Sequence, residues 1–196
     1  MYKRQDRERA QWWGDEVNEL GEAFYALSPS GQKLAVKGIH ELMNWQREDG
    51  TLYAPVPAGN WDKELPLQML ASIGWYGFYT QYYYSADSSF VPVIYDRMRR
   101  YLHEVWQVDK SGLVIERQGA WSWGDWGEHV DMGVLTNCWY YLALKAERAF
   151  ALQLGKDKDA DEISQMMRSI ERCFDTKFWT GSAYRSPGYK AVSYTH

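Results

Sequence analysis

WGDEVNELGEAFYALSPSGQKLAVKGIHELM, residues 13–43, decides the fold class. Trp13, Val17, Leu20, Phe24 and Leu27 recur at steps of four, three, four and three, the repeat of a single helix face. Ser28-Pro29 then stops one helix and starts another, with Ser28 placed as an N-cap and Pro29 at the first helical position. Val36, Ile39, Leu42 and Met43 form the next apolar stripe. The stretch therefore reads as two helices joined by almost no linker, a helical hairpin.

The same pattern continues along the chain. Residues 50–64 form a connection marked by Gly50, Pro55, Pro57 and Gly59-Asn60. A third helix is expected from about Leu65 to Tyr84, apolar or aromatic on most faces and hence deeply buried. A fourth, about 88–107, carries Val91, Ile94, Met98, Leu102 and Val105, with Asp87 or Ser89 as cap and Pro92 tolerated in its first turn. A second long connection spans about 108–130, with a strand-like Leu113-Val114-Ile115 and then GAWSWGDWG at 119–127. Helices at about 131–154 and 157–176 follow, separated by a Gly155 stop.

Short links alternate with long ones. Helical hairpins joined this way close into an α/α toroid, with the long connections at one mouth. The expected fold class is all-α: a partial (α/α)6 toroid of about three helical hairpins, forming one domain over residues 1–196. Six helices are half of such a ring. The ending at His196 reads as an interruption, and the open edge is expected to leave helix 65–84 poorly covered and to favour oligomerisation.

Composition narrows the function. The net charge is −4 with mixed signs throughout, which lacks the basic face that nucleic acid needs. No apolar run approaches membrane-spanning length. Met1 is followed by charge, not by a secretory apolar segment, so the chain as expressed is expected in the cytoplasm. Cys138 and Cys173 lie in helical patterns and read as buried thiols. His40, His103, His129 and His196 make no metal-ligand spacing, and no phosphate-binding Gly loop follows a strand, so neither a metal nor a cofactor is expected. Eleven tryptophans are more than a helical core needs. Those in Gly- and Asp-rich connections, Trp61, Trp121, Trp123 and Trp126, are costly to expose unless something such as a sugar ring covers them.

Glu8 sits between Arg7 and Arg9, just ahead of Trp12. Arginine neighbours lower a carboxyl pKa and burial against an indole raises it; a general acid needs burial to win. If residues 8–15 are helical, Asp15 lies about two turns beyond Glu8 and both carboxylates face one site. The residues alone also fit a solvated terminus with ordinary charges. His129 and Asp131 either touch a ligand or are simply hydrogen-bonded within the fold. Glu41, Glu64 and Glu104 read as surface charges.

RERAQWWGD at 7–15 resembles the signature of the bacterial α-L-rhamnosidases, glycoside hydrolase family 78. GNWDKELPLQMLASIGWYGFY at 59–79, WSWGDW at 121–126 and the stretch from Thr136 to Trp179 are similar to later parts of that domain. The resemblance implies an inverting glycosidase with a rhamnoside as substrate. It implies that Glu8 is the general acid and that Arg7, Trp12 and Asp15 contact the sugar, with Trp61, Trp123, Asp125 and Trp126 facing the same site. Two departures stand out. The family's Asp-Cys-Pro is Lys3-Arg4-Gln5 here, with Asp6 nearby. The family's general base is a Glu of a later helix pair, so the chain is expected to be inactive alone, unless Asp125 or Glu128 serves as base. The alternatives are a non-catalytic carbohydrate-binding helical domain, a plain helical interaction module, and another toroid glycosidase such as a trehalase-like one.

Overall fold

The computed structural model describes residues 10–58, 62–117, 121, 124 and 130–189. Three helical hairpins follow one another. Helix α1 (Trp13–Ala26) turns through Leu27 and Ser28 into α2 (Pro29–Asn44). Helices α3 (Pro66–Ile73) and α4 (Phe78–Ser85) together return as α5 (Val91–Arg100), which runs on into a π-helical turn at Tyr101–Val105. Helix α6 (Met132–Gln153) returns as α7 (Asp157–Phe178). Helices α1, α3 and α6 pack side by side as an inner layer, and α2, α5 and α7 lie behind them.

Local chemistry accounts for most of the boundaries. Ser28 is extended, with Pro29 at the first position of α2, although its hydroxyl pairs with that of Ser30 at 2.7 Å and does not cap the helix. Gly155 takes the left-handed φ of +68° that ends α6. Asp131 is a working N-cap, its carboxylate accepting from Val134 N at 3.3 Å.

The sequence expectation is corrected in several places. Helix 65–84 is two helices, because Gly74 and Gly77 permit a tight break. A Cβ on Gly77 would lie 1.7 Å from the Ser72 carbonyl oxygen, and one on Gly74 would lie 3.0 Å from the Ala143 Cα. The break lets the start of the second hairpin lie directly on α6. Helix α3 is accordingly covered along nearly its whole length, not left at an open edge. The exposure falls on the break and the second piece instead, where Tyr76 and Tyr84 are open to solvent and Tyr83 is 68% exposed. Helix α5 starts at Val91 behind Phe90, because Asp87 spends its carboxylate on the amide of Ser89 in a turn before the helix. The two cysteines are free and half-buried, not fully buried.

The core is one contiguous cluster running through all three hairpins. Phe150 of α6 meets Phe90, Tyr79 and Tyr82 at ring-centroid distances of 6.1, 6.1 and 6.0 Å, joining the second hairpin to the third. Beside it lies a buried carboxylate. Glu147 is 0% exposed, and His103 Nε2 stands 2.9 Å from both of its oxygens. Arg99 Nη1 is 3.5 Å away, and Arg99 Nη2 pairs with Glu162 of α7. No described helix is long and apolar enough to cross a membrane.

Candidate functional site

Gln11 and Trp12 form β1, which pairs antiparallel with β2 (Pro55–Val56), Trp12 opposite Pro55. The pairing continues as Trp13 N donating to Ala54 O at 3.0 Å, and Ala54 N donating to Lys63 O at 3.3 Å. The segment ahead of α1 is thus stitched to the connection ahead of α3. Arg47 holds the same connection by donating to the Asp62 carbonyl and lying 3.9 Å over the Tyr53 ring.

A third segment joins through charge. Glu64, just ahead of α3, is only 7% exposed. Its Oε1 accepts from Tyr101 OH at 2.6 Å, and its Oε2 faces Arg117 Nη2 at 2.8 Å. Arg117 lies on the connection ahead of α6 and packs over the Trp106 ring at 5.2 Å. The expectation that Glu64 is a surface charge is therefore corrected: its two partners sit on the far end of the second hairpin and on the next connection. Burial, and then the Glu64 charge, push the Tyr101 hydroxyl well above its ordinary pKa, so it stays a donor. Burial works against the Arg117 charge, but the bond to Glu64 and the proximity of Tyr101 outweigh it and hold the guanidinium above its ordinary value.

These bonds join the segments that lead into α1, α3 and α6. Two of the sequence-derived site residues are described there. Trp12 is half-buried on β1, packed against the core, and Asp15 is exposed in the first turn of α1. A carboxylate in that turn is favoured by the helix dipole. Trp121 is 49% exposed on the third segment. Glu8, Arg7, Trp61, Trp123, Asp125 and Trp126 lie outside the described residues, as do Glu128 and His129. A helix through 8–15 is excluded at Gln11 and Trp12, which are extended because their backbones pair with Val56 and Pro55.

Asp131 has a structural role. Besides capping α6, it accepts from Ser186 N at 2.6 Å and Ser186 Oγ at 2.5 Å, fixing the segment after α7 against the start of α6. Burial raises its pKa, but these bonds, the Val134 amide and the charge of Arg185 outweigh it, and the net shift is downward. The residues that sequence reasoning missed are Glu64, Tyr101 and Arg117. The one available signal was an acid abutting the apolar run Leu65-Pro66-Leu67.

A two-layer arc of helical hairpins, with Trp12 and Asp15 where the first inner helix begins and Glu64 where the second does, fits a helical-toroid glycosidase domain. Over residues 5–195 the chain matches the family model of the bacterial alpha-L-rhamnosidase 6 hairpin glycosidase domain, and it belongs to that family. The α-L-rhamnosidase of Dictyoglumus thermophilum has the same fold, with a TM-score of 0.71 at 19% identity. The match covers 91% of this chain and 20% of that one, so the chain spans about a fifth of that protein's length. The chain matches no curated protein.

Proposed function

We propose that the chain supplies the acid-bearing part of the catalytic domain of an inverting α-L-rhamnosidase, acting on terminal α-L-rhamnosyl residues of glycosides or polysaccharides. The observation that carries this reading is the family match over residues 5–195, with Gln11-Trp12 of RERAQWWGD forming the strand that is stitched to the connection ahead of α3. In the proposed reaction Glu8 protonates the departing glycosidic oxygen. A second carboxylate activates water on the opposite face of the sugar, at a separation of roughly 6.5–9.5 Å that leaves room for that water. Arg7 and Asp15 hold sugar hydroxyls. Trp12, Trp61, Trp123 and Trp126 wall the ring, and Asp125 binds a hydroxyl.

The family resemblance assigns the base to a later helix pair. The 196-residue chain alone is therefore expected to bind sugar without turning it over. Two measurements test this. Glu8→Gln, made at the matching position of a complete homologous enzyme, is expected to abolish hydrolysis of unactivated rhamnosides; full activity there removes the acid assignment. Measurable turnover of an aryl α-L-rhamnoside by the purified chain overturns the expected inactivity. The half-exposed Trp121 supports a second reading, a sugar-binding domain without catalysis. A sequence extending beyond His196 into a Glu-bearing helix pair separates the two.

A further inference from the structure

Glu64 is out of place on stability grounds. A buried ion pair recovers little more than its own desolvation, and an apolar pair of the same volume is often as stable or more so. Yet Glu64 lies at the foot of α3 with every charged oxygen committed: Oε1 to Tyr101 and Oε2 to Arg117. What the pair does provide is a direct cross-link between the connection ahead of α3 and the connection ahead of α6.

Each end of the pair leads to an indole at the candidate site. From Glu64 the route is main chain: Lys63 O accepts from Ala54 N, Ala54 O accepts from Trp13 N, and Trp12 pairs with Pro55. From Arg117 it is covalent, since Trp121 follows four residues later, within about 15 Å of chain. The anchor under both is Tyr101, fully buried at the start of the π-helical turn. Arg117 Nη1 is also buried and has no hydrogen-bond partner among the described residues, which leaves one donor of the fork uncommitted.

We propose that Glu64 and Arg117, seated on Tyr101, are positioning residues: their ion pair sets the spacing between the Trp12 strand and the Trp121 segment, and through it the grip on the sugar. The inference rests on the rhamnoside reading for the identity of the sugar, but not for the coupling of the two segments. Glu64→Gln is the informative variant, because the amide keeps an acceptor for Tyr101 and removes only the charge facing Arg117. Arg117→Met removes the other side, and Arg117→Lys keeps the charge without the fork.

The test uses the full 196-residue chain and two readouts. The first is amide exchange at Ala54 and Ile115, which report the two segments, with Ile170 in α7 as control. Glu64→Gln is expected to speed exchange at Ile115, and Arg117→Met at Ala54, each by about tenfold, with Ile170 unchanged and the double variant no worse than the singles, since coupled residues are not additive. The second is tryptophan fluorescence titrated with L-rhamnose, where each single variant is expected to weaken binding about tenfold and Arg117→Lys to restore part of it. Exchange that stays the same at Ile115 in Glu64→Gln, or rises equally at Ile170, overturns the proposal, as does wild-type affinity in a variant whose exchange has changed. Coupled exchange with no wild-type response to millimolar L-rhamnose supports the coupling and removes the rhamnoside reading instead.

Discussion

Replacing His103 with alanine tests the buried polar cluster between the second and third hairpins. Glu147 is completely buried, and its nearest donor is His103 Nε2 at 2.9 Å from both oxygens; among the described residues, Arg99 Nη1 at 3.5 Å is its other side-chain partner. Removing one partner of a buried pair costs about 3–5 kcal/mol, because the remaining charge is left in a poorly polar surrounding. Arg99 stays and is partly solvated, so the low end applies, about 3 kcal/mol. Unfolding entropy for a chain of 196 residues is about 0.4 kcal/mol/K near 60 °C, which converts this to a fall in Tm of about 7 °C. Differential scanning calorimetry measures it directly. The companion variant replaces both Glu147 and His103 with leucine. It removes the stranded charge along with its partner, and Arg99 keeps Glu162. The pair is expected to lose less stability than His103→Ala alone, since exchanging both partners for apolar groups of similar size is often neutral. A loss under about 1 kcal/mol in His103→Ala, or a double variant less stable than the single, refutes the reasoning.

Asp131→Ala removes the α6 cap and both bonds to Ser186, and is expected to cost about 1–2 kcal/mol, read as a drop in Tm of a few degrees. The folded pKa of Asp131 is lowered, so its contribution is complete above the ordinary value of 3.8 and is lost as pH falls through the lower folded value. The Tm gap between wild type and Asp131→Ala should therefore hold at neutral pH and close in strong acid; a gap that widens in acid contradicts the assignment. Gly77→Ala places a Cβ 1.7 Å from a backbone oxygen that has nowhere to move, so it should destabilise by more than about 3 kcal/mol or yield no folded protein. Wild-type circular dichroism and Tm for that variant would show that the break between α3 and α4 is wrong.

The hairpins were legible because each long helix has an apolar stripe at the helical repeat and a Ser-Pro or Gly at its end. The break at Gly74–Gly77 was hidden by the residues around it. Leu70, Ile73, Phe78 and Tyr79 continue an apolar run whether the axis bends or not, and only contact with Ala143, on another hairpin, makes the bend necessary. Strands of two residues have no period to detect, so β1 and β2 left no trace in the pattern. Glu64 was misread for a related cause. Burial of an acid depends on partners, and Tyr101 lies 37 positions away. The motif points to Trp12 and Asp15 as sugar contacts, and their seats on β1 and in the first turn of α1 required the structure. The residues around Asp131 leave it between a ligand contact and a hydrogen bond within the fold, and nothing local indicates Ser186 as the partner.

The stitch that joins Trp12 to Pro55 and Trp13 to Ala54 uses main-chain atoms only. Apart from proline, peptide groups offer the same donor and acceptor whatever side chain they carry, so such a stitch tolerates changes of side chain at the rim. A lineage can exchange the side chains on those segments without first inventing a new loop. The same indifference fails at Gly77, where a single added carbon meets backbone, so variation is open at the rim and closed one layer below it.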